Sequence, residues 1–331
     1  MILKPHRGLA IAGFLAQQGW DHAVPTPLAA DFSSRRYARL VKEDQQSAIL
    51  MDADEDQKTV SFVHIAKVLE ALDISAPRIF AADPIQGLVL MEDFGNHNMG
   101  QFIDAGADAT GLLKRAVDVL VHLHRTFTPD LLQDVDVPLF NQELFLLQVS
   151  LFLDSYVPFY QLHDVTAEVR QAFLAAWQQA LVAVEPMPKS LLLRDYMADN
   201  LMDLAERPAW RSVGVLDFQD AGIGPVAYDL ASLAEKVRRD DTDGRLDELV
   251  SYYYAHMNPS YALDDLRAAC YVLSALRHTR ILGLLMHMTH RGRPEKHAFI
   301  PRVRGALAAQ LRHDVLKPVA AWFKEYSPLD E

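Results

Sequence analysis

Two short apolar runs, each stopping on an acidic residue, constrain this chain more than any other feature. Ser190-Leu-Leu-Leu-Arg-Asp195 and Val213-Gly-Val-Leu-Asp217 each read as a buried strand that delivers a carboxylate at its end. Asn200 stands five residues after Asp195, just before a further apolar pair, Leu201-Met202, and adds a neutral oxygen. Such oxygens suit a hard divalent cation like Mg²⁺, which takes one or two carboxylates and completes its shell with substrate phosphates. Phosphoryl transfer in kinases uses the same parts: an Asp near the acceptor hydroxyl, and an Asn and a second Asp on the metal. The spacing Asp-x₄-Asn alone arises by chance in a chain with 44 acidic residues. The bland alternative is that Asp195 and Asp217 merely cap turns at strand ends. What favours the chemical reading is context: an apolar strand before Asp195, another after it, and a second strand ending at Asp217 twenty-two residues on.

Ahead of these runs the pattern is one of hairpins. Pro27-Leu-Ala-Ala30, Arg36 to Val41 and Ala48 to Met51 are expected strands, separated by the polar turn Asp31-Phe-Ser-Ser34 and the charged turn Lys42 to Gln46. Gln57 to Leu72 carries apolar residues at helical spacing, and Arg78 to Ala82 with Gly87 to Met91 make a second hairpin over Asp83-Pro84. After Glu92-Asp-Phe-Gly95 the periodicity turns helical: Leu112 to Arg125, Gln142 to Phe152, Glu168 to Val184, Val226 to Arg238, Leu246 to His256, Leu263 to Met288 and His297 to Lys324. The expected architecture is α+β and bilobal. A small antiparallel sheet with one helix (residues 1–92) joins a larger, mainly helical lobe (93–331), with a cleft at the joint.

With 331 residues the chain is long enough for one large or two modest domains, and its net charge of −12 argues against a general nucleic-acid binder. Lys4, His6 and Arg7 before the apolar run Leu9 to Ala16 superficially resemble a signal peptide. Gln17-Gln18-Gly19-Trp20 offers no small-residue cleavage pattern, so a first amphipathic helix is expected. No run approaches the ~20 apolar residues of a membrane span. The lone Cys270 forbids an intrachain disulfide and fits a reducing compartment. These features together favour a cytoplasmic protein with neither membrane nor nucleic-acid partners. Neither G-x-G-x-x-G nor G-x₄-G-K-[ST] occurs; Gly222-Ile-Gly-Pro-Val-Ala227 is a near miss without a βαβ context. His122 and His124 point to different helix faces, while His287 and His290 lack a third partner, so packing roles are expected for both pairs.

Leu-Arg-Asp195-Tyr-Met-Ala-Asp-Asn200-Leu and Leu-Asp217-Phe-Gln-Asp-Ala-Gly-Ile-Gly-Pro-Val-Ala-Tyr-Asp229-Leu-Ala resemble the catalytic and metal-binding segments of the aminoglycoside phosphotransferase-like kinases. They are most similar to the branch that phosphorylates N-acetylmuramate and N-acetylglucosamine at the anomeric position. The resemblance runs nearly the whole chain and includes Pro27-Leu-Ala-Ala-Asp-Phe-Ser-Ser-Arg-Arg-Tyr-Ala-Arg39. It implies ATP and Mg²⁺ as cofactors, Asp195 as the catalytic base, and Asn200 and Asp217 as metal ligands. An anomeric hydroxyl is more acidic than an ordinary alcohol, which makes a carboxylate base more adequate.

By the same resemblance Ser33 and Ser34 fold over the nucleotide phosphates, and the backbone of Glu92 to Gly95, with Glu92 and Phe94, meets adenine. A protein kinase carries a phosphate-pairing lysine at the end of the third strand; here Met51 stands there, and Arg36 or Arg39 is expected to supply the charge. Leu193 replaces a His common in relatives, and Asp229 is expected to tie down that loop. The acceptor is a small molecule, a sugar or an amino alcohol. An anionic one calls for Arg194, Arg277 or Arg280, with Asp220 also near the acceptor; a polycationic aminoglycoside calls for Asp240, Asp241, Asp243 and Asp247. Kinases of aminoglycosides, choline or other small alcohols are alternatives, as is a non-catalytic nucleotide-binding regulator.

Overall fold

A computed structural model describes residues 5–28, 35–53, 58–133, 135–160, 162–234, 245–327 and 329. In chain order come α1 (Pro5–Gln17), β1 (Val24–Pro27), β2 (Arg36–Val41), β3 (Ser47–Asp52), α2 (Thr59–Ala71), β4 (Ile79–Asp83), β5 (Leu88–Glu92), α3 (Met99–Asp104) and α4 (Ala109–Thr126). There follow α5 (Gln142–Leu151), α6 (Val157–Tyr160), α7 (Ala167–Leu181), β6 (Lys189–Leu192), β7 (Leu201–Asp203), β8 (Val213–Val215) and β9 (Gly222–Pro225). Helices α8 (Ala227–Leu233), α9 (Arg245–Met257), α10 (Leu263–His290), α11 (Ile300–Gln310) and α12 (Lys317–Tyr326) complete the chain. The class is α+β, and the chain divides into two units that are discontinuous in sequence. The first comprises Met1–Ala107, Pro129–Val137 and Ala198–Ala221, the second Asp108–Thr128, Pro138–Met197 and Gly222–Glu331.

In the first unit five antiparallel strands stand in the order β1-β2-β3-β5-β4. Successive side chains of a strand alternate between faces. Ala48 and Leu50 of β3, with Leu40, Leu88 and Leu90, therefore share one face, where they pack against Phe14, Leu15 and Trp20. Ile49 and Met51 lie on the other. The first strand starts at Val24, opposite Val41, earlier than the expected Pro27 to Ala30; Ala29 and Ala30 lie outside the described residues. Both the expected first helix, α1, and α2 accompany the sheet.

The second unit is built around α10, whose residues from Leu266 to Met286 are mostly buried. Gly283 lets α10 run close to the end of α5: an added Cβ would lie 2.6 Å from the Leu151 carbonyl carbon and from the Phe152 nitrogen. A π-helical turn, Phe152–Tyr156, sits at that crossing. Phe152, Phe173, Trp322 and Phe323 form an aromatic cluster with ring centroids 4.6 to 6.4 Å apart. The single helix expected over His297 to Lys324 is instead two, α11 and α12. Pro318 sits in the first turn of α12, where its missing N–H costs nothing, and it could not continue α11.

Candidate active site

Asp195 belongs to the second unit. Its strand, β6, pairs antiparallel with β9, from Lys189 opposite Pro225 to Leu192 opposite Gly222. The glycines of the near-miss motif are packing residues. A Cβ at Gly222 would meet the Pro138 carbonyl oxygen at 2.4 Å, and one at Gly224 would meet Leu192 Cδ1 at 2.6 Å. Beyond β6 the chain turns sharply, with Arg194 in the left-handed region at φ 70°. That conformation costs a non-glycine residue about 1–2 kcal/mol and persists only where the surroundings over-determine it.

The surroundings here are specific. Asp229, fully buried in α8, accepts the backbone N–H of Leu193 at 2.7 Å and of Arg194 at 2.9 Å. The Arg194 carbonyl accepts from Arg277 at 2.8 Å and from Ser232 Oγ at 3.3 Å. Burial pushes the Asp229 carboxyl up to about 7, against the pull of the two N–H groups and Arg277, and Asp195 pushes the same way as burial. Leu193, 2% exposed, contributes its backbone and fills apolar space. Arg277, 1% exposed, also lies with its guanidinium 5.0 Å from the Tyr228 ring and 3.9 Å from Asp195 Oδ1.

Asn200 and Asp217 belong to the first unit. They flank the β7–β8 pair, which is closed by the Leu216 N–H donating to the Asn200 carbonyl at 2.9 Å. Asp217 is itself left-handed at φ 60°, a conformation Asp tolerates better than most residues. Its neighbour Phe218 is fully buried and stacks on Phe62 of α2 at 4.8 Å, which fixes the turn. Asn200 Nδ2 lies 3.5 Å from Asp217 Oδ2, and Gln219 Nε2 donates to Asp217 Oδ1 at 2.8 Å.

Asn200 and Asp217 fit Mg²⁺. An amide turned by 180° presents its oxygen where its nitrogen was, and one carboxylate plus one carbonyl is how Mg²⁺ is held when phosphates supply the rest. Among the described residues no group of three or more His, Cys, Asp or Glu side chains converges as a self-sufficient metal site.

The expected nucleotide residues divide by sheet face. Met51 is fully buried. Arg36 shares the face of Leu40 and packs toward α1, bonded at 2.9 Å to Asp52, which Arg7 of α1 also holds at 3.0 Å. It stands on the opposite face from Met51. Arg39 is on the Met51 face, but its guanidinium is bound to Asp93 at 2.7 Å, to the Gly95 carbonyl at 2.8 Å and to Asn96.

Glu92 ends β5 with its carboxylate on Arg207 at 2.7 Å. Phe94 covers Gly214 of β8, where a Cβ would come within 2.8 Å of its ring. Ser33 and Ser34, and the acidic residues Asp240, Asp241 and Asp243, lie outside the described residues. Asp247 accepts the Tyr271 hydroxyl. Asp220 is 2.6 Å from Lys58 Nζ. Sequence reasoning passed over Lys58 because it sits in no motif. It is a half-exposed cation held three residues along the chain from Asp217.

Residues 24–268 match the phosphotransferase enzyme family. The chain is 30% identical to the N-acetylmuramate/N-acetylglucosamine kinase of Caulobacter vibrioides, over 100% of this chain and 99% of that protein. It is 31% identical to the protein of the same name from Pseudomonas putida, over 84% and 80% of the two chains. Among solved structures, a choline/ethanolamine kinase family protein from Mesorhizobium loti superposes with a TM-score of 0.66 at 14% identity, covering 96% and 99%. A microcompartment-associated aminopropanol kinase does so with 0.63 at 18%, covering 92% and 97%. The fold is thus that of the kinase-like phosphotransferases, and the chain, a small-molecule kinase, belongs to the phosphotransferase enzyme family.

Proposed function

We propose that this enzyme transfers the γ-phosphoryl group of ATP to the anomeric hydroxyl of N-acetylmuramate or N-acetylglucosamine, in the cytoplasm and in the service of cell-wall sugar recycling. The observation that carries the reading is the end-to-end match to the Caulobacter kinase of those two sugars. In this reading residues 1–92 form the nucleotide lobe, with adenine against the backbone of Glu92 to Gly95, and residues 93–331 carry the acceptor. Among the described residues no helix is long and apolar enough to cross a membrane.

Asp195 accepts the proton of the sugar 1-hydroxyl as its oxygen bonds to the γ-phosphorus. The bond from that phosphorus to the β,γ-bridging oxygen breaks, and ADP leaves with the electron pair. Asp229 and Arg277 keep the Asp195 turn in its strained form, so the carboxylate is positioned before the acceptor arrives. Asn200 and Asp217 would hold Mg²⁺, which when bound neutralises charge on the nucleotide phosphates. Arg39 and Lys58 are the basic residues of the first unit that suit the phosphates in place of a third-strand lysine.

The test is ADP formation from Mg-ATP with N-acetylmuramate, N-acetylglucosamine, choline and kanamycin offered singly. Turnover of either sugar and neither cation supports the reading. Turnover of kanamycin or choline alone contradicts it, and ATP binding without turnover of any acceptor points to a regulator.

A further inference from the structure

Helix α10 sends two arginines toward the Asp195 turn. Arg277 and Arg280 are three residues apart and so share a helix face, yet their situations differ. Arg277 is consumed by the fold: it is buried, donates to the Arg194 carbonyl at 2.8 Å, and lies over the Tyr228 ring. Arg280, one turn on, is only partly exposed and has neither hydrogen bond nor ion pair among the described residues. Burial holds its guanidinium below the usual range. Arg194 and Arg277 push it the same way, while Tyr228 and Asp195 oppose them. An arginine stays charged regardless, so a cation with no ion pair among the described residues stands among like charges, with the Asp195 carboxylate acting in its favour.

The local balance is opposite to that of the whole molecule. Among the described residues Arg194, Arg277 and Asp195 surround Arg280, and Asp229 lies beside Arg277 and Asp195, three cations to two carboxyl groups in a chain whose net charge is −12. Bringing three guanidinium groups together, one fully buried and two partly, is costly, and an anion that pairs with one of them relieves the cost. Phosphate is one such anion, but its groups are assigned to residues of the first unit. On the acceptor side the anion that a guanidinium fork matches is a carboxylate, bound through two parallel N–H···O bonds.

Resting on the proposed sugar-kinase activity, we infer that Arg280 binds the carboxylate of an acidic sugar acceptor and so sets the preference for N-acetylmuramate over the neutral N-acetylglucosamine. An acceptor bearing ammonium groups is disfavoured by the same charge.

The experiment compares both sugars in the wild type and in Arg280→Gln. The expected result is a KM for N-acetylmuramate raised about 10- to 100-fold, the value of a charged hydrogen bond. The KM for N-acetylglucosamine stays within about twofold and kcat on both sugars is little changed. Arg280→Lys, which keeps the charge and loses the fork, should fall between and serves if the glutamine variant does not fold. Unchanged KM for both sugars, or equal losses on both, overturns the inference and leaves the sugar-kinase reading standing. A wild-type enzyme that phosphorylates kanamycin or choline and neither sugar overturns both.

Discussion

Asn200 Nδ2 lies 3.5 Å from Asp217 Oδ2, though the two residues belong to separate turns of the chain. The β7–β8 pair brings them together, with Asp217 left-handed at φ 60°. If this pair holds Mg²⁺, Asp217→Ala removes the only carboxylate of the pair. It should lower kcat/KM by at least about 100-fold and raise the Mg²⁺ concentration needed for half-maximal rate. Asn200→Asp keeps an oxygen ligand and should retain measurable activity. A Mg²⁺ titration of initial rates is the check; unchanged half-saturation in Asp217→Ala contradicts the assignment.

Arg36 and Lys58 separate two ideas about the phosphate charge. Arg36 stands on the α1 face of the sheet, clamped to Asp52. Arg36→Ala should therefore leave the KM for ATP within about twofold and should destabilise the first unit by about 1–3 kcal/mol through the weakened buried ion pair. Lys58→Ala should raise the KM for ATP about tenfold, one charged hydrogen bond lost. The reverse ranking would show that the phosphates lie on the α1 face.

His124 gives the fold a pH dependence of its own. Its ring is partly buried, Nδ1 sits 2.8 Å from the Tyr253 hydroxyl, and the Nε2 atom is buried with no hydrogen-bond partner among the described residues. Burial pushes it from the usual 6.5 down to about 3. Between those values the unfolded chain binds a proton that the folded chain refuses, so stability rises with pH across that window and is lost as pH falls from 6.5 toward 3. Thermal melts from pH 7 to pH 4 should show a falling Tm in the wild type and a shallower fall in His124→Gln. Equal slopes would show that other groups carry the acid sensitivity.

Gly283→Ala presses a methyl into the backbone at Leu151 and Phe152, both fixed by the π-helical turn. Neither neighbour is a flexible side-chain end, so a loss of about 1–3 kcal/mol is expected. A urea titration should show a lower midpoint at unchanged slope. An unchanged midpoint would mean that α10 can shift outward at no cost.

Much of this fold was legible because its chemistry and its strands coincide. The runs ending at Asp195 and Asp217 are apolar up to the turn, and the structure makes them β6 and β8. The helices of the second unit follow from apolar spacing; α10, expected over Leu263 to Met288, runs on to His290. What spacing could not show was where a periodic stretch breaks: His297 to Lys324 keeps its apolar repeat across the α11–α12 boundary, and only Pro318 signals the interruption. The face of Arg36 was equally hidden, since strand alternation gives parity but not which side α1 covers. Lys58 was obscure because it matters through a partner, Asp220, that is distant in sequence, and no motif records that.

The most direct test of the account is the rate of phosphoryl transfer by Asp195→Asn with Mg-ATP and N-acetylmuramate both saturating. The account predicts a fall in kcat of about 10²- to 10⁴-fold, the usual worth of a positioned base. ATP binding should persist, as shown by thermal stabilisation equal to that of the wild type. A variant that turns over within threefold of the wild type would contradict the role given to Asp195.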